Sequence, residues 1–498
     1  MRRLLLPLLA GALYAIPFLA PALFLPAWVA FVPLLWVIKD ADLKDSLFYG
    51  WLMGTVCHLI GYPWLVNMFI DFGHLPWIVG LFGYLLFCAY QGLCFGLTGL
   101  IARWLQKRTK LPLGLALPLA LVTTEHIFPM IFPSYAANSQ FGFHHLIQIA
   151  DLGGVLLVSL LVGLINGTLF ESLSAKIAGA ARPKKMLVTC VTLLTLALIY
   201  GTIRIKAIGA LAASAPKLSI GLIQGNIGAA DTHIDPVSAH SIYRAMTFAL
   251  ADESKPDLIV WPESAYMEII DETADLRVVT GGAESHVLMG CLRARPLPSG
   301  RMGLINSLVL VSPQGQAVDA YGKIKLLVFG EYLPFGDIFP KLYDLFPYTG
   351  HFLRGENLLP LAMGDWRLSV NICYEDIWPG LIRKLMRSAT APQAHVLINA
   401  TNDSWYGRSF EQWEHLSLAA WRAIEHRRWL ARATNTGYSA FVDATGRIVT
   451  KSGIFTRETL VHDVPMLEGR TLYGILGDWV GWLTLGLIIL ARFTAGVR

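Results

Sequence analysis

Charge is what this chain has least of. Charged residues make up 15% of its 498 positions against 54% hydrophobic ones, and 40 Lys and Arg against 35 Asp and Glu leave a formal net charge of only +5. A balance that small, held in short clusters between apolar runs, excludes the basic footprint of a nucleic-acid binder. Cysteine is scarce too: the 6 present show no C-x-x-C spacing, which removes the usual zinc and dithiol signatures. Cys57, Cys88, Cys94 and Cys190 fall in apolar stretches and read as small hydrophobes, leaving Cys291 and Cys373 in the polar part. There is no internal repeat and no low-complexity stretch. What the chain has in abundance is long apolar runs, and its length calls for a membrane part plus at least one separate globular part, since a single core rarely grows past about 250–300 residues.

From Leu4 to Ile38 there is no charge at all, and the run is broken by Pro7, Pro17, Pro21, Pro26 and Pro33. A membrane-crossing helix takes about 20 apolar residues, so this run reads as two short, proline-broken helices in a tight hairpin. It is expected to be retained rather than cleaved as a signal peptide. Further spans are expected at about 46–69, 74–102, 111–131, 149–170 and 186–203, with a last one at about 472–491 that Asp478 interrupts. Lys and Arg are missing from alternate loops, near residue 21, at 70–73 and at 132–148. The other connections carry them: Arg2 and Arg3, Lys39 and Lys44, Arg103 to Lys110, Lys176 to Lys185, then Arg492 and Arg498. Basic residues stay on the cytoplasmic side, so this asymmetry puts both termini inside and everything from about Lys206 to Gly469 outside. The expected organisation is a membrane domain of seven helices over 1–205, a catalytic domain over 206–469 and a C-terminal membrane helix over 470–498.

The outer part alternates short β-branched runs with amphipathic stretches. Strands are expected at 217–224, 257–261, 286–291, 305–312, 367–373, 395–400, 439–443 and 458–464, and helices near 236–253, 377–388 and 409–433. That alternation predicts α/β layers. Turn signals such as SPQGQ and DATGR between neighbouring strands mark hairpins, so the sheet is expected to be mixed.

Three polar residues follow or adjoin these strands: Glu263 in LIVWPESA, a lysine in AYGKIKLLVFGEYLPFG, and Cys373 in LSVNICYEDIWPG. Functional groups tend to gather beyond the carboxyl ends of strands. A carboxylate, a lysine and a thiol are a coherent set for acyl transfer: the thiolate attacks, the carboxylate takes its proton, and the cation holds the oxyanion and lowers the thiol pKa. Spacing alone leaves three roles open for Cys373: a packed core thiol, half of a disulfide with Cys291, or a nucleophile. It does not choose between Lys323 and Lys325 either.

The signatures WPES, YGKIKLLVFGEYLPFG and NICYEDIWP resemble the Glu-Lys-Cys set of the nitrilase superfamily. IQGNI at 223–227, TNDSWYG at 401–407 and RRWLARATNTGYSAFVDATG at 427–446 narrow the resemblance to the apolipoprotein N-acyltransferases, which join a nitrilase-like domain to eight membrane helices. The resemblance implies a multi-pass α-helical membrane domain plus an α-β-β-α sandwich. It implies Glu263 as general base, Lys323 as oxyanion-stabilising lysine and Cys373 as nucleophile, with Glu331, Tyr374 and Glu375 in support. It also implies no cofactor and no metal. The implied reaction moves an acyl chain from a phospholipid such as phosphatidylethanolamine, through a Cys thioester, to the N-terminal amine of a diacylglyceryl-cysteine apolipoprotein. The implied location is the bacterial inner membrane, with the catalytic domain periplasmic.

Two positions depart from the family pattern. Val328 stands where a proline is usual, and GAADTHIDP after QGNI lacks the usual tryptophan. Three further features are open to two readings: Glu125 and Asp151, near the outward ends of their spans, read either as functional intramembrane acids or, the favoured reading, as solvated or capping residues at helix ends, and the third is the apolar stretch 325–348. With Phe335, Phe339, Leu342, Phe346 and Tyr348, this stretch reads either as a lipid-contacting loop or as a packed insertion. The rival functions are a membrane-tethered amidase that passes its thioester to water, and a non-catalytic membrane scaffold.

Overall fold

The computed structural model describes residues 2–228, 236–297, 302–336, 338–345, 349–387 and 393–494. Contacts divide the chain into two compact units, one of Met1–Val66, Trp77–Ala207 and Thr471–Arg498, the other of Asn67–Pro76 and Ile208–Arg470.

The first unit is helical. Among the described residues three helices are long and apolar enough to cross a membrane: Trp77–Thr109, Ile147–Ile177 and Lys184–Ser214. A fourth candidate is a pair, Leu43–Gly61 and Trp64–Asp71, bent by 65°. Shorter apolar helices lie at Arg3–Leu19, Leu25–Ile38, Leu113–Ile127 and Trp479–Phe493. Lipid offers no hydrophobic drive between helices, so close approach of small residues must hold them. Leu43–Gly61 and Trp77–Thr109 do this: a Cβ on Gly50 would meet the Phe95 carbonyl oxygen at 2.3 Å. Glu125 and Asp151 are both buried, which excludes the solvated reading for them. Glu125 is buried and accepts the Ala136 backbone N–H at 2.6 Å, while Asp151 pairs with Arg204 at 2.8 Å and accepts from the Tyr200 hydroxyl at 2.7 Å.

The second unit holds two sheets. The first has seven strands: β1 Lys217–Gln224, β2 Leu258–Val260, β3 Tyr266–Ile269, β4 His286–Pro296, β5 Met302–Val311, β6 Ala317–Gly322 and, at its far edge, β13 Glu458–Pro465. The second has six: β7 Leu361–Met363, β8 Trp366–Ile372, β9 Val396–Thr401, β10 Trp429–Thr434, β11 Ala440–Val442 and β12 Ile448–Lys451. Both are mixed. In the first, β1, β2 and β4 run parallel and β4, β5 and β6 antiparallel; in the second, β8, β9 and β10 are the parallel core. Every residue of β9 and β10 is buried, as expected of strands covered on both faces. Helix Pro236–Ser254 lies against the first sheet, where Tyr243 stacks on Trp261 at 5.5 Å, and helices Pro379–Met386 and Glu411–His426 lie against the second.

One expected element is corrected. The helix expected over 409–433 stops at His426, because Arg427 takes a left-handed backbone (φ 51°) that caps it, and Trp429 begins β10. The hydrophobic spacing runs on past the break, so periodicity alone overlooked a central strand. Strands β3, β6, β7 and β12 are short edge pieces that the sequence reading also missed.

Candidate active site

The candidate residues come from the ends of strands in both sheets rather than from one. Strand β2 ends at Val260, just before Trp261-Pro262; the proline has no N–H to continue the ladder, and Glu263 follows it into the interior, 6% exposed. Its Oε1 accepts from Lys323 Nζ at 2.8 Å and from Asn306 Nδ2 at 2.8 Å, and its Oε2 from the Asn402 backbone N–H at 3.2 Å. Neighbouring β4 makes room with Gly290, where a Cβ would meet the Pro262 carbonyl oxygen at 2.2 Å. Gly290→Ala is therefore expected to push Glu263 out of register and lower kcat about 10²-fold, checked by steady-state rates on folded protein.

Lys323 directly follows β6 and is only 2% exposed. Its ammonium lies between Glu263 at 2.8 Å and Glu331 at 2.9 Å. Burial pulls its pKa down, but the charges of Glu263 and Glu331 more than reverse this and hold it well above the ordinary value. Asn306 Nδ2 donates to the same two carboxylates, at 2.8 and 2.9 Å, so strand β5 fixes their spacing. Lys325, two residues on, points elsewhere, with its Nζ over the Trp378 ring.

Cys373 begins a short turn, Cys373–Ile377, at the end of β8, with a left-handed backbone (φ 55°) that a side chain rarely adopts. Such strain persists only where the surroundings enforce it. Asn399 Nδ2 donates to the Cys373 carbonyl at 3.0 Å. Glu375 lies wholly inside and accepts from the backbone N–H groups of Ile372, Ile324 and Lys325 at 2.7 to 2.8 Å and from the Tyr321 hydroxyl at 2.8 Å. One carboxylate thus ties the Cys373 turn to the segment after Lys323. Burial raises Glu375 to about 7 against the pull of those donors.

All six cysteines are free, so the disulfide with Cys291 is excluded. Lys323 does lower the thiol pKa, as expected, but it does not decide the net shift. Burial raises the Cys373 pKa, Glu263 raises it further, and Lys323 only partly opposes them, leaving it well above the ordinary value. The resting sulfur is a thiol. A nucleophile in that state would have to lose its proton during attack, which calls for a base at hand rather than a standing thiolate.

Tyr374 turns away from Cys373 into a buried polar cluster. Its ring stacks on His415 at 4.1 Å and its hydroxyl donates to Glu411. His415 is held between Asp376 at 3.1 Å and Asp403 at 3.0 Å, and Arg432 bonds Asp376 and Asp403, each at 3.0 Å, as well as the Asn399 side-chain oxygen. Asp403, Glu411 and His415 bring ligand atoms within 4.8 Å of one another, the spacing of a metal site. The fully buried Arg432 already supplies the cation there, and a second beside it would be repelled. The sequence reading missed Asn306, Asn399, His415 and Arg432; an Asn inside the apolar run INSLVLV and an Arg inside WLARAT were the available signals.

The cluster has a pH signature. Burial and Arg432 lower the His415 pKa, but Asp376 and Asp403 outweigh them and raise it to about 9. Its contribution to stability is complete below the ordinary 6.5 and is lost as pH rises through about 9. Thermal unfolding in detergent is expected to show a falling midpoint from pH 7 to 9, a fall that His415→Gln removes.

In the stretch 325–348, Phe335 is 70% and Phe339 60% exposed, which rules out simple packing for those two; Leu342 is partly exposed. Phe346 and Tyr348 lie outside the described residues, as does the segment 229–235 that lacks the tryptophan. Val328 adjoins Phe329, itself left-handed (φ 65°).

A two-sheet sandwich with a buried carboxylate, lysine and strained cysteine is the architecture of a carbon-nitrogen hydrolase, and residues 219–472 match the family of that description. Residues 10–168 match the apolipoprotein N-acyltransferase N-terminal domain. The apolipoprotein N-acyltransferase of Geobacter metallireducens is 30% identical over 497 residues, covering 97% of this chain and 93% of its own. That of Azotobacter vinelandii is 32% identical over 507 residues, covering 98% and 93%. Among solved structures, the Saccharomyces cerevisiae protein Nit3, of branch 10 of the nitrilase superfamily, covers 50% of this chain and is covered over 90% of its own, at 16% identity and a TM-score of 0.37. The chain belongs to the apolipoprotein N-acyltransferase family. It is a membrane enzyme of the acyltransferase class.

Proposed function

We propose that the chain takes an acyl group from a glycerophospholipid, phosphatidylethanolamine in the first instance, onto Cys373 and passes it to the N-terminal amine of a diacylglyceryl-cysteine apolipoprotein. In the first half, Glu263 accepts the thiol proton while the sulfur attacks the sn-1 ester carbonyl. A C–S bond forms, the C–O bond breaks, and the proton leaves with the lysophospholipid alkoxide. The Lys323 ammonium holds the developing oxyanion. In the second half the amine attacks the thioester, C–N replaces C–S, and the amine proton returns through Glu263 to sulfur. Glu331 shares the lysine, Glu375 ties the two active segments together, and Tyr374 braces the cysteine turn on His415.

Both substrates are lipids, and each buried CH₂ is worth about 0.8 kcal/mol, so the enzyme must work at the membrane surface. The exposed Phe335 and Phe339 would serve as lipid contacts there. The charge asymmetry of the loops favours an arrangement with seven helices over 1–205, the catalytic part 206–469 on the periplasmic side of the inner membrane, and a last helix over 470–498.

The observation that carries the reading is the single ammonium bonded to both Glu263 and Glu331 and electrostatically coupled to Cys373. The test is lysophospholipid release by the full-length enzyme with and without an acceptor lipopeptide. One turnover without acceptor and steady release with it is expected; steady release without it would make the enzyme a hydrolase.

A further inference from the structure

Three exposed cations lie on segments bonded or joined to the turn that carries Cys373. Lys325, Arg354 and Lys384 are all solvent-exposed, and among the described residues none of them forms an ion pair with a carboxylate. Two are held instead by aromatic faces: Lys325 Nζ lies 3.6 Å from the centre of the Trp378 ring, and the Arg354 guanidinium 5.3 Å from that of Tyr332.

The backbone brings these groups around the site. The Lys325 N–H bonds the Glu375 side chain at 2.8 Å, and the Trp378 N–H bonds the Glu375 carbonyl at 3.2 Å. Gly355, next to Arg354, donates to the Lys323 carbonyl at 2.7 Å. Lys384 lies on the helix Pro379–Met386 that starts directly after Trp378. Partial burial of the Lys325 ammonium, and after it the like charges of Arg354 and Lys384, hold its pKa below the ordinary value, so Lys325 feels both of the other cations.

An aromatic face orients a cation without neutralising it. A carboxylate partner would have cancelled the charge and occupied the N–H groups. Here both remain available, and an anion bonding all three would relieve the repulsion that Lys325 feels from the other two. We propose that Lys325, Arg354 and Lys384 form a subsite for a phosphodiester anion, the headgroup phosphate of the glycerophospholipid donor. The proposal rests on the donor and acceptor reading above. It also deepens it, because the donor carries a phosphate and the diacylglyceryl-cysteine acceptor carries none: the subsite works in the first half-reaction only, and by anchoring the phosphate it sets which ester reaches Cys373.

The test uses full-length enzyme in mixed micelles, unaltered and with Lys325→Gln plus Lys384→Gln. Two acyl donors are compared: phosphatidylethanolamine and the phosphate-free ester p-nitrophenyl palmitate. KM for the phospholipid is expected to rise about tenfold or more in the double variant, while the p-nitrophenyl ester burst and the transfer from preformed acyl-enzyme to lipopeptide change less than about twofold. Equal losses with both donors would mean a structural role, and no loss with either would mean solvated surface charge; each overturns the proposal. Inorganic phosphate that competes at micromolar concentration would assign the subsite to the free anion and overturn it as well. Failure of the functional reading would register separately, as no lysophospholipid from the unaltered enzyme.

Discussion

Cys373→Ala is expected to abolish acyl-enzyme formation and lower phospholipid-dependent transfer at least about 10³-fold, with the thermal midpoint changed little. Cys373 is 3% exposed, and removal of its sulfur leaves a space of one heavy atom, so packing loss is small beside the loss of the proposed nucleophile. Cys373→Ser separates nucleophilicity from shape. It keeps a hydrogen-bonding atom in the same strained turn, yet a hydroxyl is far harder to deprotonate than a thiol, and the resting thiol is already protonated. The serine variant should therefore transfer almost as slowly as the alanine one. A stopped-flow lysophospholipid burst measures both, and a full burst from either variant would remove Cys373 from the mechanism.

The second large effect concerns stability. Arg432→Met is expected to destabilise the catalytic part by about 3–5 kcal/mol, read as a lower thermal midpoint in detergent. Arg432 is wholly buried between Asp376 and Asp403, each bonded at 3.0 Å, and holds the Asn399 oxygen whose amide supports the Cys373 carbonyl. Methionine fills the volume but leaves two buried carboxylates with only His415 between them. Asp403 makes the point sharply: burial raises its pKa, but Arg432 and His415 outweigh burial and hold it near 2. Without the guanidinium, that carboxylate has to take up a proton or admit water. Arg432→Lys should recover only part of the loss, since one ammonium cannot reproduce the planar fork that serves three partners.

Much of this architecture was legible in the residues. The run KLSIGLIQ is β1 from first residue to last, and SPQGQ and DATGR sit in the two hairpin turns they mark. Motif resemblance selected Lys323 over Lys325, and the structure puts the first among carboxylates and the second over an indole. The rest depends on contacts distant in sequence. Asn306 lies 43 residues from Glu263, and Arg432 56 residues from Asp376, so no local period reveals that they meet. Helix Glu411–His426 and strand β10 share one continuous apolar spacing; only the left-handed backbone at Arg427 separates them. The thiol pKa also had to wait for the fold, because the sign depends on how far burial and Glu263 outweigh Lys323.

Mass spectrometry of the purified enzyme after mixing with phosphatidylethanolamine, without acceptor, tests the thioester most directly. One added acyl chain, released by hydroxylamine, is expected on the peptide that contains Cys373, and it should disappear when a diacylglyceryl-cysteine lipopeptide is added. An adduct on another residue, or an acyl-Cys373 that persists in the presence of the lipopeptide, would contradict the thioester route.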